Sequence, residues 1–262
     1  MNYSNKTPEE MRLLIRNKDF KKPTSGIAPG YAQGNLVILP KEFAYDFLRF
    51  AYRNPKPCPL LYVSEPGEKD LNPVAKKSNI YTDIGNYNIY LDGKLEENIS
   101  SAESYYKDDM VSFIIGCSFT FESELLKEKI EIPHIVKKKN VAMYDTNIKL
   151  KGSGVFNGNM VVSMRPIKSK DITKAVMITS RFSSVHGSPV HIGNPEEIGI
   201  TDISNPDYGE FAGIEKDEVP VFWACGVTPQ NAIKKSKIPF AITHGPGHMF
   251  ITDIKNSDLV NY

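Results

Sequence analysis

Two histidines, His244 and His248, stand four residues apart with Gly245-Pro246-Gly247 between them. On a helix that spacing would place both rings on one face and suit a metal ion, but two glycines and a proline rule the helix out. What is left is a constrained loop that can bring an imidazole against a substrate. Imidazole titrates near neutrality, so it can take a proton and return it. Asp253 or Asp202 is the expected partner for orienting one ring. His186 and His191, five apart around Gly187 and Pro189, form a weaker candidate pair, and His134 reads as structural.

Cys117 and Cys225 each follow an apolar run and precede a helical pattern. A helix N-terminus favours thiolate, so Cys117 is the candidate reactive thiol, with Cys225 behind it. A small buried hydrophobe is the alternative for either. Ser118, Thr120 and Thr228 read as helix caps whose neighbouring N–H groups can hold a carboxylate. Arginine is scarce, six against 26 lysines. Arg165 and Arg181 each close an apolar, strand-like run, where a planar fork suits a carboxylate; a structural ion pair is the equal alternative. Arg12, Arg16, Arg49 and Arg53 fall on or at the end of helical segments and read as surface or structural residues. Tyr31, Gln33 and Asn35 lie in a glycine-rich loop, residues 24–35, that reads as a pocket edge or as plain turns.

These residues need elements to position them. Thr7-Pro8-Glu9-Glu10 is a capping box that opens a helix over residues 8–18. The 24–35 loop runs into a strand, Leu36 to Leu39, and residues 41–53 carry Phe43, Phe47, Phe50 and Ala51 on one helical face. Asn54-Pro55-Lys56-Pro57 stops that helix before a strand at Leu60 to Val63. A hairpin is expected from Ile80 to Ile84 and Tyr87 to Leu91, with a turn signal at Asp92-Gly93. Met110 to Ile115 fits a strand or a short helix, and a helix follows through Phe121 and Leu125. Short β-like runs at Ala142 to Leu150, Met160 to Met164 and Val176 to Thr179 surround a helix signal at Ser169 to Lys174. The C-terminal stretch reads strand (Val219 to Ala224), helix from Thr228-Pro229, strand (Phe240 to Thr243), loop, strand (Met249 to Thr252). The expected fold class is α/β: a larger three-layer domain, residues 1–121 plus 186–262, with a smaller two-layer α/β unit, residues 122–185, inserted. IIGCSFTFE and WACGVTPQN are too weakly alike to signal a duplication.

The bulk properties exclude several classes. A net charge of +1 with no long basic stripe argues against nucleic acid, and Lys137-Lys138-Lys139 reads as a solvated loop. Three scattered cysteines form neither a disulfide framework nor a metal spacing, which fits a reducing, cytoplasmic setting. No apolar run approaches a membrane span, and the first ten residues lack an apolar signal core.

Seven stretches taken together are similar to one family: GIAPGYAQGNLVILP, YRNPKPCPLLYV, GCSFTFE, VVSMRP, TSRFSSVHGSPVHIG, VPVFWACGVTPQ and FAITHGPGHMFITD. They resemble the bacterial "putative hydro-lyase" family related to the D-glutamate cyclase domain, from Thr7 to about Asp253. The resemblance implies a two-domain α/β fold and conversion of D-glutamate to 5-oxo-D-proline plus water. It brings no settled catalytic residues with it. Two positions depart from the pattern: Gly245 where alanine precedes the proline, and Asp145 where arginine follows Met-Tyr.

Such a cyclisation requires two carboxylates to be clamped, an ammonium deprotonated, and a tetrahedral oxyanion stabilised while hydroxide leaves. The expected catalytic groups are His244, His248 and Cys117. The expected substrate contacts are Arg165, Arg181, Ser118, Thr228, Tyr31 and Asn35. No metal or cofactor is expected, and the partner is a small amino acid or carboxylate, with room for a homo-oligomer. The rival readings are a metal-dependent lyase or hydrolase and a non-catalytic carboxylate-binding module.

Overall fold

The computed structural model describes residue 3 and residues 5–260. Helix α1 (Pro8–Arg16) opens as its capping box requires: Thr7 Oγ1 accepts from the Glu10 amide at 3.2 Å and Glu10 Oε2 accepts from the Thr7 amide at 2.9 Å. Strand β1 (Tyr31–Pro40) passes directly into α2 (Lys41–Arg53). There follow β2 (Leu60–Val63), the hairpin β3 (Tyr87–Leu91) and β4 (Lys94–Ile99), and β5 (Met110–Gly116), which leads into α3 (Phe119–Lys127) and the short α4 (Pro133–Val136). The second stretch holds β6 (Ala142–Lys149), β7 (Asn159–Lys168), α5 (Ile172–Ser180), β8 (His191–Ile192), β9 (Glu218–Ala224) and α6 (Thr228–Ser236). Strands β10 (Phe240–His244) and β11 (Phe250–Lys255) end the ordered elements, before a single 3₁₀ turn.

Two antiparallel sheets result, so the fold is α/β. The first runs β2-β5-β1-β10-β3-β4, with β11 also paired to β1; the second runs β6-β7-β9-β8. Both are covered on two faces, which is why their central strands bury apolar residues on both sides rather than alternately. On β1, Leu36 and Ile38 enter one core cluster while Val37 and Leu39 enter another. On β9, Val221 and Trp223 face one cluster and Phe222 and Ala224 its opposite.

The two sheets repeat one connectivity. β1-α2-β2-β5-α3 and β7-α5-β8-β9-α6 both give a strand order in which the last strand lies between the other two. Gly34 pairs with Gly116 at the end of the first unit, and Val162 with Ala224 at the end of the second. IIGCSFTFE and WACGVTPQN thus occupy matching places in a repeat of connectivity that their residues alone do not announce. The closing helices are exchanged: Phe121 and Leu125 of α3 pack with Val221 and Trp223, while Ala232 and Ile233 of α6 pack with Val37 and Phe113.

Several elements differ from expectation. β1 begins at Tyr31, so Tyr31, Gln33 and Asn35 are strand residues. The hairpin at Asp92-Gly93 pairs β3 with Lys94–Ile99, and both turn residues have positive φ, 48° and 75°. Ile80 to Ile84 is instead a series of turns. Tyr87 Oη holds it there, donating to the Ile80 carbonyl and accepting from the Ile84 amide. Val176 to Thr179 lies inside α5, where Thr179 Oγ1 bonds back to the Ala175 carbonyl at 2.9 Å. The second sheet takes β6 and β7 from the expected insert but β8 and β9 from beyond residue 185. No helix among the described residues is long and apolar enough to cross a membrane.

Candidate active site

A cleft of about 520 Å³ opens between the Pro23–Gly30 loop, α3, α4 and the segment that follows α4. Its most chemically loaded wall is Glu122 beside His134, which are 3% and 4% exposed. Glu122 lies one helical turn before Leu125 on the buried side of α3. His134 follows Pro133, which sets the first position of α4. His134 Nε2 is 3.3 Å from Glu122 Oε1, close enough for an ion pair but without hydrogen-bond geometry, and neither ring nitrogen has a hydrogen-bond partner.

Arg165 stands behind Glu122, away from the cleft, and is fully buried. Its Nε donates to Glu122 Oε1 at 2.9 Å, and its terminal nitrogens donate to Ser163 Oγ and Ser118 Oγ, each at 2.9 Å. The guanidinium also lies over the rings of Phe121 and Trp223, at 5.4 and 5.5 Å. Burial pushes the Glu122 carboxyl up, but Arg165 and His134 outweigh it and leave its pKa below the ordinary value. The three residues form a line of charge running from the core to the cleft. Tyr31 and Gln33 of β1 line the same cleft, as does Asn256 just past β11, and the exposed Lys138 and Lys139 stand at its rim.

The expected site residues fare unevenly. Arg165 is committed to Glu122, Ser118 and Ser163, so its fork is a structural ion pair and not a carboxylate clamp. Ser118 accepts from Arg165 instead of capping α3, which has no side-chain cap. Thr228 is the first residue of α6 rather than its cap, and its hydroxyl accepts from the Val161 amide at 3.0 Å. Asn35 donates to the Gly116 carbonyl at 2.9 Å and packs where a Cβ on Gly226 would collide with it. Arg181 follows α5 and lines a second, more open groove of about 720 Å³, which it shares with Tyr31 and Asn256.

His244 is the last residue of β10, fully buried, with Nδ1 accepting from the Leu36 amide at 3.1 Å; burial pushes its pKa down to about 4. His248 packs against Gly85, and burial lowers its pKa too. Neither ring lines the cleft. Their loop contributes to it through backbone: Gly247 lies on the cleft wall, and its carbonyl accepts from the Thr24 amide at 2.8 Å. Asp253 is paired with Arg12, and Asp202 accepts from Ser204, so neither orients a histidine. His186 is buried, its Nδ1 2.8 Å from the Lys56 carbonyl, and burial pushes it down to about 4. His191 lies on β8 with Nε2 2.6 Å from the Asn194 carbonyl. Burial raises Cys117 to about 12 and Cys225 to about 11, the reverse of an activated thiol.

The sequence does not single out Glu122, because one glutamate in a charged helix resembles a solvated face. His134 reads as structural from the sequence because nothing near it marks a partner. Among the described residues there is no group of three or more His, Cys, Asp or Glu side chains that could hold a metal ion.

Comparison with known proteins adds the lineage. A protein named "Putative hydro-lyase" from Thermoanaerobacter sp. is 54% identical over 99% of this chain and 98% of its own length. Proteins of that name from Clostridium beijerinckii and Paraburkholderia phymatum are 53% and 51% identical, each matched over 97% or more of both chains. Among solved structures, a nitrogen repressor-like protein from Methanococcus jannaschii aligns over 97% of each chain with a TM-score of 0.41 and 14% identity, too slight a likeness to bear on fold or function. A family model described as D-glutamate cyclase matches residues 111–253, the span that includes Glu122, His134 and Arg165. The chain belongs to the D-glutamate cyclase family, among full-length relatives named as hydro-lyases.

Proposed function

We propose that the cleft is the active site of a carbon–oxygen hydro-lyase for a small amino-dicarboxylate, and that its reaction is cyclisation of D-glutamate to 5-oxo-D-proline plus water. One observation carries this reading: the Arg165–Glu122–His134 line, which ends at the cleft in an imidazole with Nε2 3.3 Å from the Glu122 carboxylate and neither ring nitrogen hydrogen-bonded. A carboxylate on one ring nitrogen orients the imidazole and stabilises its protonated form, the arrangement general acid–base chemistry uses. Arg165 keeps that carboxylate ionised although it is buried.

In the proposed reaction the substrate nitrogen attacks its own γ-carboxyl carbon. A C–N bond forms and a C–O bond breaks. The two protons lost by the ammonium leave with the departing oxygen as water. His134 Nδ1 takes a proton from the ammonium and delivers it to that oxygen, while Nε2 stays against Glu122. Lys138 and Lys139 at the rim supply positive charge for the carboxylates. Family membership supports the reaction class, and the names of the relatives support loss of water.

The test is mass-spectrometric turnover of D-glutamate, L-glutamate, 5-oxoproline and several hydroxy acids, read as gain or loss of water. His134→Asn should lower kcat roughly 10²–10⁴-fold, the range for a general acid–base group, with an unchanged circular dichroism spectrum. A folded His134→Asn protein that keeps the wild-type rate rejects His134, and a wild-type protein inert towards every compound rejects the reaction.

A further inference from the structure

Gln33 on β1 and Asn256 just past β11 are 4% and 6% exposed, and both line the cleft. Gln33 Nε2 donates to the Thr24 carbonyl at 2.8 Å and the Ile27 carbonyl at 3.0 Å. Asn256 Nδ2 donates to the Thr120 carbonyl at 3.2 Å and lies 3.4 Å from Ser123 Oγ. The two ends of a carboxamide look alike in shape, but carbonyl acceptors on one end identify it as the NH₂. The other end of each is therefore a carbonyl oxygen. Neither Gln33 Oε1 nor Asn256 Oδ1 has a hydrogen-bond partner.

Buried acceptors without donors are rare in folded proteins. Here two occur on one cleft, from elements that are neighbours: Tyr31 pairs with Lys255, and the Asn256 amide donates to the Gly30 carbonyl at 2.8 Å. Both are acceptors, so both repel a carboxylate and call for a donor. Glu122 on the same wall adds negative charge. A primary ammonium, with three N–H donors and no lone pair, matches that set. A carboxylate matches Lys138 and Lys139 at the rim instead.

We propose that Gln33 and Asn256 are specificity-determining residues that bind the ammonium group of the substrate, so that the cleft selects amino acids over dicarboxylates lacking an amine. The assignment rests on the amino-dicarboxylate reading of the cleft, and it orients the substrate: amine inward between the two amides and near His134, carboxylates towards the lysines. A site built around such acceptors rejects a ligand that leaves them unpaired.

The experiment is calorimetric titration with D-glutamate, glutarate and n-butylammonium, on wild-type protein and in parallel on His134→Asn to suppress turnover. D-Glutamate should bind at least about tenfold more tightly than glutarate. In Gln33→Leu and Asn256→Leu that preference should collapse to under about threefold, with glutarate affinity retained. Equal binding of D-glutamate and glutarate overturns the ammonium assignment while leaving a carboxylate cleft, as does a preference that survives in a folded variant. If neither dicarboxylate binds but n-butylammonium does, and the leucine variants abolish it, the assignment stands and the amino-dicarboxylate reading falls. If nothing binds, both fall. Should the variants fail to fold, the wild-type ratio of glutamate to glutarate decides.

Discussion

Glu122 and Gln230 stand at matching places in the two halves, each the fifth residue after a cysteine that follows a sheet strand. Each touches a histidine. Glu122 meets His134 and is charged, backed by Arg165, and part of a cleft wall. Gln230 Nε2 lies 3.3 Å from His244 Nδ1, donates to the His244 carbonyl at 3.1 Å, and is sealed in the core. The same turn from strand to helix therefore holds a charged unit where it meets a cleft and a neutral one where it does not. Electrostatics explains the split. An ionised carboxylate survives burial only with a compensating charge, and Arg165 supplies one on the first side alone. One repeated connectivity thus accommodates a buried ion pair at one strand end and neutral packing at the other.

Making the charged copy resemble the neutral one should have the largest effect. Glu122→Gln leaves Arg165 buried with no counter-charge, a change that typically costs about 3–5 kcal/mol. For a chain of this size the melting temperature should fall on the order of 10 °C. Adding Arg165→Met removes the stranded charge and should restore much of that stability, while activity stays lost because His134 has no orienting carboxylate. Thermal melts of the single and double variants check this. A Glu122→Gln protein as stable as wild type would show that the pair does not compensate itself in the way described.

The elements of the fold were largely legible in the sequence, and the site was not, for one physical reason: range. The α1 capping box and the Asp92-Gly93 turn are set by residues within a few positions of one another, and both appear where the residues place them. The repeat of β1-α2-β2-β5-α3 in the second half is carried by connectivity, with almost no matching side chains, so it could not be read. Arg165 is 43 residues from Glu122, and no periodicity announces the pairing. His244 attracted notice because it flanks a Gly-Pro-Gly loop, yet β10 buries it two residues along from the apolar core position Ile242. Burial on β10 decided its role, and burial is a tertiary property.

Acid should separate the two copies by pH window. His244 is neutral in the fold, with its pKa pushed by burial down to about 4, against near 6.5 when unfolded. Between those values the unfolded chain binds the extra proton, so stability present above 6.5 is lost as pH falls towards 4, by roughly 3 kcal/mol. His186 behaves alike and has the same sign. Glu122 has a folded pKa below its ordinary value, so its contribution is intact above about 4.5 and fades only as pH falls further. The neutral copy should therefore loosen first. Hydrogen exchange at the Leu36 amide gives a local readout, because protonation of His244 Nδ1 removes its acceptor. Protection there should decline between pH 6.5 and 4, and His244→Asn should flatten the slope of stability against pH. An unchanged slope would mean that His244 does not titrate in that window.

The smallest effects should come from the two cysteines that open the matching turns. Each lies at a helix N-terminus, which on its own favours thiolate by about 0.3–1 kcal/mol and at most about 2. Full burial opposes ionisation by as much as 3–5 pKa units, several times more. Burial wins in both copies: Cys117 is pushed up to about 12 despite a hydrogen bond from the Phe119 amide, and Cys225 to about 11 despite those from Val227 and Gly226. Neither thiol is poised for nucleophilic or acid–base work near neutrality. Iodoacetamide at pH 8 should label the native protein far more slowly than the denatured chain. Cys117→Ala should keep kcat within about threefold of wild type, since a buried thiol contributes as a small hydrophobe. Rapid labelling of Cys117 alone, or a large loss of turnover in a well-folded Cys117→Ala protein, would return the chemistry to the strand end and make the two copies differ in their cysteines as well as in Glu122 and Gln230.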